Sequence, residues 1–99
     1  MLGVNDVVTD ITVSGTTPTI TAVANTNYIC GEVSTLDFTP SSTGVCNVIF
    51  ESGSTATVLT LPNTVKMPEW FDANALEADT IYEISISNGI YGAVMSWQA

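Results

Sequence analysis

Short apolar runs with a two-residue period dominate this chain, and they leave little room for any fold but an all-β one. Cys46, Val48 and Phe50 fall on one side of their run. Leu59 and Leu61 share a face with Thr55 and Thr57, and Tyr82, Ile84 and Ile86 oppose Glu83, Ser85 and Ser87. An alternation of this kind fits a half-buried strand, because successive side chains of a strand point to opposite faces. Gly, Pro, Asn and Ser punctuate the runs, and no long segment carries the 3.6-residue period of a helix.

These signals predict about seven strands. Val7 to Ser14 and Thr19 to Ala24 are separated by the turn Gly15-Thr16-Thr17-Pro18. Tyr28 to Phe38 is one long run, bent or bulged at Gly31, and Pro40 to Gly44 is a turn. Val45 to Glu51 and Thr55 to Leu61 are expected to form a hairpin through Ser52-Gly53-Ser54. Ile81 to Ser87 and Ile90 to Trp97 form a second hairpin through Asn88-Gly89, a strong two-residue turn signal. One apolar face per strand, with hairpins in series, predicts a small antiparallel β-sandwich, in one version a jelly roll. The 99 residues make a single domain, residues 1–99, in which residues 1–25 could serve as an N-terminal docking segment. No internal repeat stands out.

Charge narrows the chemistry. Lys66 is the sole basic side chain, His is absent, and ten carboxylates bring the formal net charge to -9. Without imidazole or guanidinium, the common general bases, nitrogen metal ligands and phosphate clamps are missing. The negative field opposes binding to nucleic acid, which needs Lys and Arg to displace counterions, and to anionic membranes. No run approaches the length of a membrane span. The chain therefore reads as a non-enzyme. Cys30 and Cys46 read as buried, reduced thiols, with a single bridge as the alternative. Lys66 is expected to pair with a surface carboxylate. No cofactor is implied. The oxygen-rich segment Asp72, Asn74, Glu77, Asp79 could hold Ca²⁺, although it lacks the glycine and terminal glutamate spacing of a helix-loop-helix site.

The stretch from Pro62 to Thr80 breaks the strand pattern, and Asp72 to Ala78 within it could form one helical turn. Trp70 and Phe71 read either as a lid over the end of the sandwich or as a patch for a protein or sugar. In the last strand Tyr91 and Trp97 share a face with Ala93 and Met95, while Ile90, Gly92, Val94 and Ser96 occupy the other. With both faces apolar, this strand is expected to be central or to be covered by a partner chain. Trp70, Phe71, Tyr91, Met95 and Trp97 are thus the candidate interface residues.

Roughly the last 70 residues of the chain also resemble a known type of domain. Phe50-Glu51-Ser52-Gly53 leads into Thr57-Val58-Leu59-Thr60-Leu61-Pro62, and later comes Tyr82-Glu83-Ile84-Ser85-Ile86-Ser87-Asn88-Gly89. In order and spacing these are similar to a β-domain that recurs in virion proteins of tailed bacteriophages and in prophages. Tyr28 to Phe38 matches the preceding strand, and Met67-Pro68-Glu69 departs from a Trp-rich loop start. The resemblance implies a virion structural protein, either a capsid decoration or head fibre or part of a tail fibre or baseplate. It implies assembly in the host cytoplasm, other virion proteins as partners and a homotrimer or higher oligomer. It carries over no catalytic residue. A glycan-binding module for attachment to the host surface is the alternative.

Overall fold

The structure is a computed structural model and describes residues 8–99. It is all-β, with eight strands in two sheets. The strands are β1 (Thr9–Val13), β2 (Thr19–Thr21), β3 (Thr26–Glu32), β4 (Thr35–Thr39), β5 (Val45–Ser52), β6 (Val58–Thr60), β7 (Thr80–Ser87) and β8 (Tyr91–Gln98). One sheet runs β1-β3-β5-β7-β8 and the other β2-β4-β6. The expected segment 1–25 overlaps the described part only from residue 8, and its first seven residues lie outside it.

The pairing corrects the antiparallel expectation. β1, β3 and β5 are mutually parallel, and so are β2, β4 and β6. The chain winds as a coil: β1, β3 and β5 of the larger sheet are each followed by a strand of the smaller one, and the chain then returns one place further along. Thr9 lies opposite Thr26, and Thr26 opposite Cys46, so a turn takes about 20 residues. Parallel strands need a long crossover, which is commonly a helix. Here the opposite sheet supplies it. Alternation reports which face of a strand is apolar and is silent on the direction of its neighbour, which is why the hairpin expectation failed. Only β5, β7 and β8 pair antiparallel.

Two strand readings change with it. Tyr28 to Phe38 divides into β3 and β4, which lie in different sheets. The register slips between Ile29 and Glu32, where the bulge at Gly31 was expected. Ser52-Gly53-Ser54 is an arch rather than a hairpin loop. The Ser52 hydroxyl, fully buried, accepts the Thr57 N–H at 2.9 Å. The Thr57 hydroxyl donates to the Val33 carbonyl at 2.6 Å, in the arch of the adjoining turn. These two bonds satisfy polar groups that a dry arch would otherwise strand, at a cost of about 1–3 kcal/mol each.

The opposite corner repeats from turn to turn. Asn25, Gly44 and Asn88 have φ of 58°, 67° and 54°, the left-handed region that Gly and Asn tolerate best. The Asn25 N–H donates to the Val45 carbonyl at 2.7 Å, and the Asn88 N–H to the Gly44 carbonyl at 2.8 Å. Ala24 packs on the bare Cα of Gly44. Asn88 and Gly89 also turn the predicted β7–β8 hairpin, through a loop that extends to Ile90.

The core lies between the sheets. Tyr28, Cys46, Val48, Phe50, Ile84 and Ile86 of the larger sheet face Ile20, Leu36, Phe38 and Leu59 of the smaller one. Tyr28 meets Phe38 edge-on at 6.1 Å, and Phe50 stacks on Tyr82 at 5.6 Å. Cys30 and Cys46 are both free and buried, and burial raises the Cys30 thiol above its ordinary value of 9.0. No described helix is long and apolar enough to cross a membrane.

Candidate interaction surface

The last strand is where the fold leaves most unsatisfied. Among the described strands, β8 is the edge of the larger sheet and has β7 as its one partner strand. The sequence offered two covers for its two apolar faces. The central position is excluded, and one face remains bare. Gly92 and Val94 turn toward the core side, and Val94 packs against the core. Tyr91, Met95 and Trp97 point the other way and are exposed, at 61%, 43% and 46%.

The register places these side chains on the outer face of the whole sheet. Trp97 lies opposite Ile81, and Met95 opposite Glu83, which in turn faces Ile49 and then Ile29. Ile29, Ile49 and Ile81 are half-buried, and two apolar stretches, Ile29 with Ile49 and Ile81 with Trp97, lie on this face beside Glu83 and Glu51. The sequence reading missed these isoleucines. They occupy the polar phase of strands whose other phase is core, and only the register brings them into line.

Beside these stretches runs a polar ladder. Asp10, Asn27, Asn47 and Ser85 sit side by side across β1, β3, β5 and β7. The Asn47 amide bridges Asn27 at 2.6 Å and Ser85 at 2.5 Å, and Asn27 donates to Asp10 at 3.4 Å. Asn47 and Ser85 are buried. The ladder ties adjacent turns together through side chains, in addition to the backbone.

The segment between β6 and β7 covers part of the β8 edge and part of the core. Lys66 makes an isolated parallel bridge with Tyr91. Its N–H donates to the Ile90 carbonyl at 2.6 Å, and its carbonyl accepts the Gly92 N–H at 2.9 Å. Met67 fills the space that a side chain at Gly92 would take. The one basic residue of the chain is thus fixed by its main chain, with its side chain exposed. Past Gly92, the outward N–H and C=O groups of β8 have no partner strand among the described residues.

Trp70 and Phe71, paired in the sequence reading, part company in the structure. Phe71 is 9% exposed and belongs to the core, edge-on to Tyr82 at 5.9 Å. It is the lid of the two readings, and as a surface contact residue it is withdrawn. Trp70 is 65% exposed and touches Phe71 edge-on at 5.8 Å. It rims a shallow cleft with Asp72, Glu77 and Ser96. Trp70 therefore flanks β8 on the side opposite Met95 and Trp97.

The helical turn expected at Asp72 to Ala78 is absent. Asp72 instead makes an Asx turn, accepting the Asn74 N–H at 2.9 Å, and its carbonyl accepts the Ala75 N–H at 3.1 Å. The Glu77 N–H donates to the Tyr82 hydroxyl at 2.8 Å. Among the described residues no three acidic or thiol side chains come together as a metal-holding group. No family model matches this sequence, and neither a characterised protein nor a solved structure does.

Proposed function

We propose that this chain is a non-catalytic assembly module that works by protein–protein contact through the β8 side of its larger sheet. The observation that carries the reading is the bare edge strand, with Tyr91, Met95 and Trp97 exposed on one face. Exposed apolar edges promote unwanted pairing, and proteins blunt them with charge, proline or a cover. β8 has no charged residue and no proline, and Lys66 covers only its start. The resemblance of Phe50 to Gly89 to phage and prophage β-domains supplies the setting: a subunit of a virion, repeated on a head or tail structure. The Thr/Ser-rich, cation-poor composition suits a subunit whose contacts are apolar and hydroxyl-based.

Light scattering over a concentration series, together with co-sedimentation with purified virions, tests this. Concentration-dependent association or uptake onto the particle is expected. A chain that stays monomeric and ignores the particle overturns the proposal. Trp70 favours a second reading, attachment to a surface glycan, because an exposed indole beside a polar cleft can stack on a sugar ring. A glycan array separates the two: binding that disappears with Trp70→Ala supports the second.

A further inference from the structure

Building on the assembly reading, we infer that β8 pairs with β8 of a second copy in antiparallel register, centred on Ser96. Three features of the strand select this occupant. The first is charge. β8 itself carries no carboxylate, so the two strands meet without a charge on either, although each chain carries -9. The acids beside the open stretch are Glu77 and Asp79, on the loop before β7, which share a cleft with Ser96, Trp97 and Gln98. On the outer face of the sheet the nearest acid is Glu83, one strand in. Across a β8–β8 junction the two Glu83 positions are three strand spacings apart, about 14 Å. That exceeds the screening length of about 8 Å at physiological salt.

The second feature is hydrogen-bond phase. The Gly92 N–H points outward, to Lys66, so by the two-residue period Val94, Ser96 and Gln98 also turn their backbone groups outward. The third is the cover. Lys66 and Met67 occupy the edge as far as Gly92, which leaves Val94 to Gln98 without a partner strand among the described residues. A two-fold that uses only this stretch sets Ser96 opposite Ser96 and Val94 opposite Gln98 of the second copy. On the outer face Met95 then lies opposite the second copy's Trp97, a sulfur–aromatic pair that extends the second copy's row of Ile81 and Trp97 by one strand. The result is a ten-stranded sheet closed by one two-fold. An edge accepts one neighbour, so a cyclic trimer would have to set β8 on a different element.

Sedimentation velocity on the whole chain, from micromolar to millimolar concentration, should show a dimer. Ser96→Pro removes one outward N–H without breaking a bond to β7, and it should weaken the dimer at least tenfold with the circular dichroism unchanged. Trp97→Ala should weaken it less. Chains carrying Ser96→Cys should cross-link under mild oxidation, since hydrogen-bonded partners stand about 5.5 Å apart at Cα. Chains carrying Gln98→Cys should not, and Cys30 and Cys46 are buried and leave the assay clear. Three results overturn the inference. One is a dimer or trimer that survives Ser96→Pro, and another is cross-linking through residue 98 rather than 96. The last is a monomer whose β8 amides are protected from exchange, which would mean that another segment of the chain holds the edge. Association that survives Ser96→Pro, or a monomer that still binds virions, leaves the assembly reading standing. A monomer without virion affinity removes both.

Discussion

Replacing Phe71 by alanine should cost about 3–4 kcal/mol, whereas the same change at its neighbour Trp70 should cost about 1 kcal/mol or less. Phe71 is 9% exposed, against 65% for Trp70. Burying a phenylalanine removes roughly 150 Å² of apolar surface from water, which is worth about 4 kcal/mol at 25 cal/mol per Å². Core Phe→Ala changes cost about 3–5 kcal/mol in general. Phe71 sits on a loop that can settle partway into the gap, which favours the lower half of that range. Its loss also removes the edge contact to Tyr82 at 5.9 Å. Trp70 has one edge contact, to Phe71 at 5.8 Å, and most of its ring already meets water. Urea titration followed by circular dichroism gives both values, provided the slope of the transition is unchanged. A domain of this size holds about 5–15 kcal/mol, so Phe71→Ala should stay folded at low denaturant, and Phe71→Leu should recover most of the loss. Equal costs for the two alanine variants, or a Phe71→Ala cost below about 1 kcal/mol, would refute the assignment of Phe71 to the core.

Asn47→Ala should destabilise by about 1–2 kcal/mol, because it leaves Asn27 and Ser85 without the amide that bridges them. Combining it with Ser85→Ala should cost less than the sum of the single changes, and additive costs would show that the ladder does not act as a unit. Gly44→Ala meets two obstacles, a φ of 67° and the Ala24 methyl, and should cost about 1–2 kcal/mol; Gly15→Ala, with positive φ but open space around it, should cost less in the same thermal melt. Burial raises the Cys30 thiol, so the folded state keeps it protonated beyond the pH at which the unfolded chain ionises. Its contribution is complete below pH 9.0 and is lost as the pH climbs from there through the folded value. A stability that rises between pH 9 and 10, or rapid alkylation of Cys30 in the folded chain, would contradict that environment.

Faces were legible in this sequence, and neighbours were not. The inward sets Cys46, Val48, Phe50 and Tyr82, Ile84, Ile86 were identified, because the period that defines a face is written in adjacent residues. The Asn88-Gly89 hairpin was legible for a similar reason: turn chemistry is local. Parallel pairing depends on residues about 20 apart, and the turns of this coil differ in length and share no repeated motif. What does recur is a backbone state, the left-handed corner, occupied by Asn25, Gly44 and Asn88. Two residue types in three places make too sparse a signal to count as a repeat. The Asn27–Asn47 ladder and the stretch joining Ile29 and Ile49 were hidden with the register that creates them. At the candidate surface, the apolar face of Tyr91, Met95 and Trp97 was legible, but its position at an edge was not. Trp70 and Phe71 were inseparable by sequence because both are aromatic and adjacent. What distinguishes them is that Tyr82 lies under one of the two.

The antiparallel hairpin gives this coil a direction of growth. Each turn presents its successor with two parallel strands and a left-handed corner on which to stack. β7 and β8 answer the third turn with a reversal, and their shared hairpin offers no further parallel template in that sheet. At the other end, β1 and β2 still present parallel edges in both sheets. Among the described residues, a fourth turn stacked on the two open edges at this end would come ahead of β1, like thread added below a knot. An insertion between β7 and β8 would lengthen a loop and leave the number of turns unchanged. Length variation by whole turns at one end, with the hairpin end held constant, is the pattern this architecture allows.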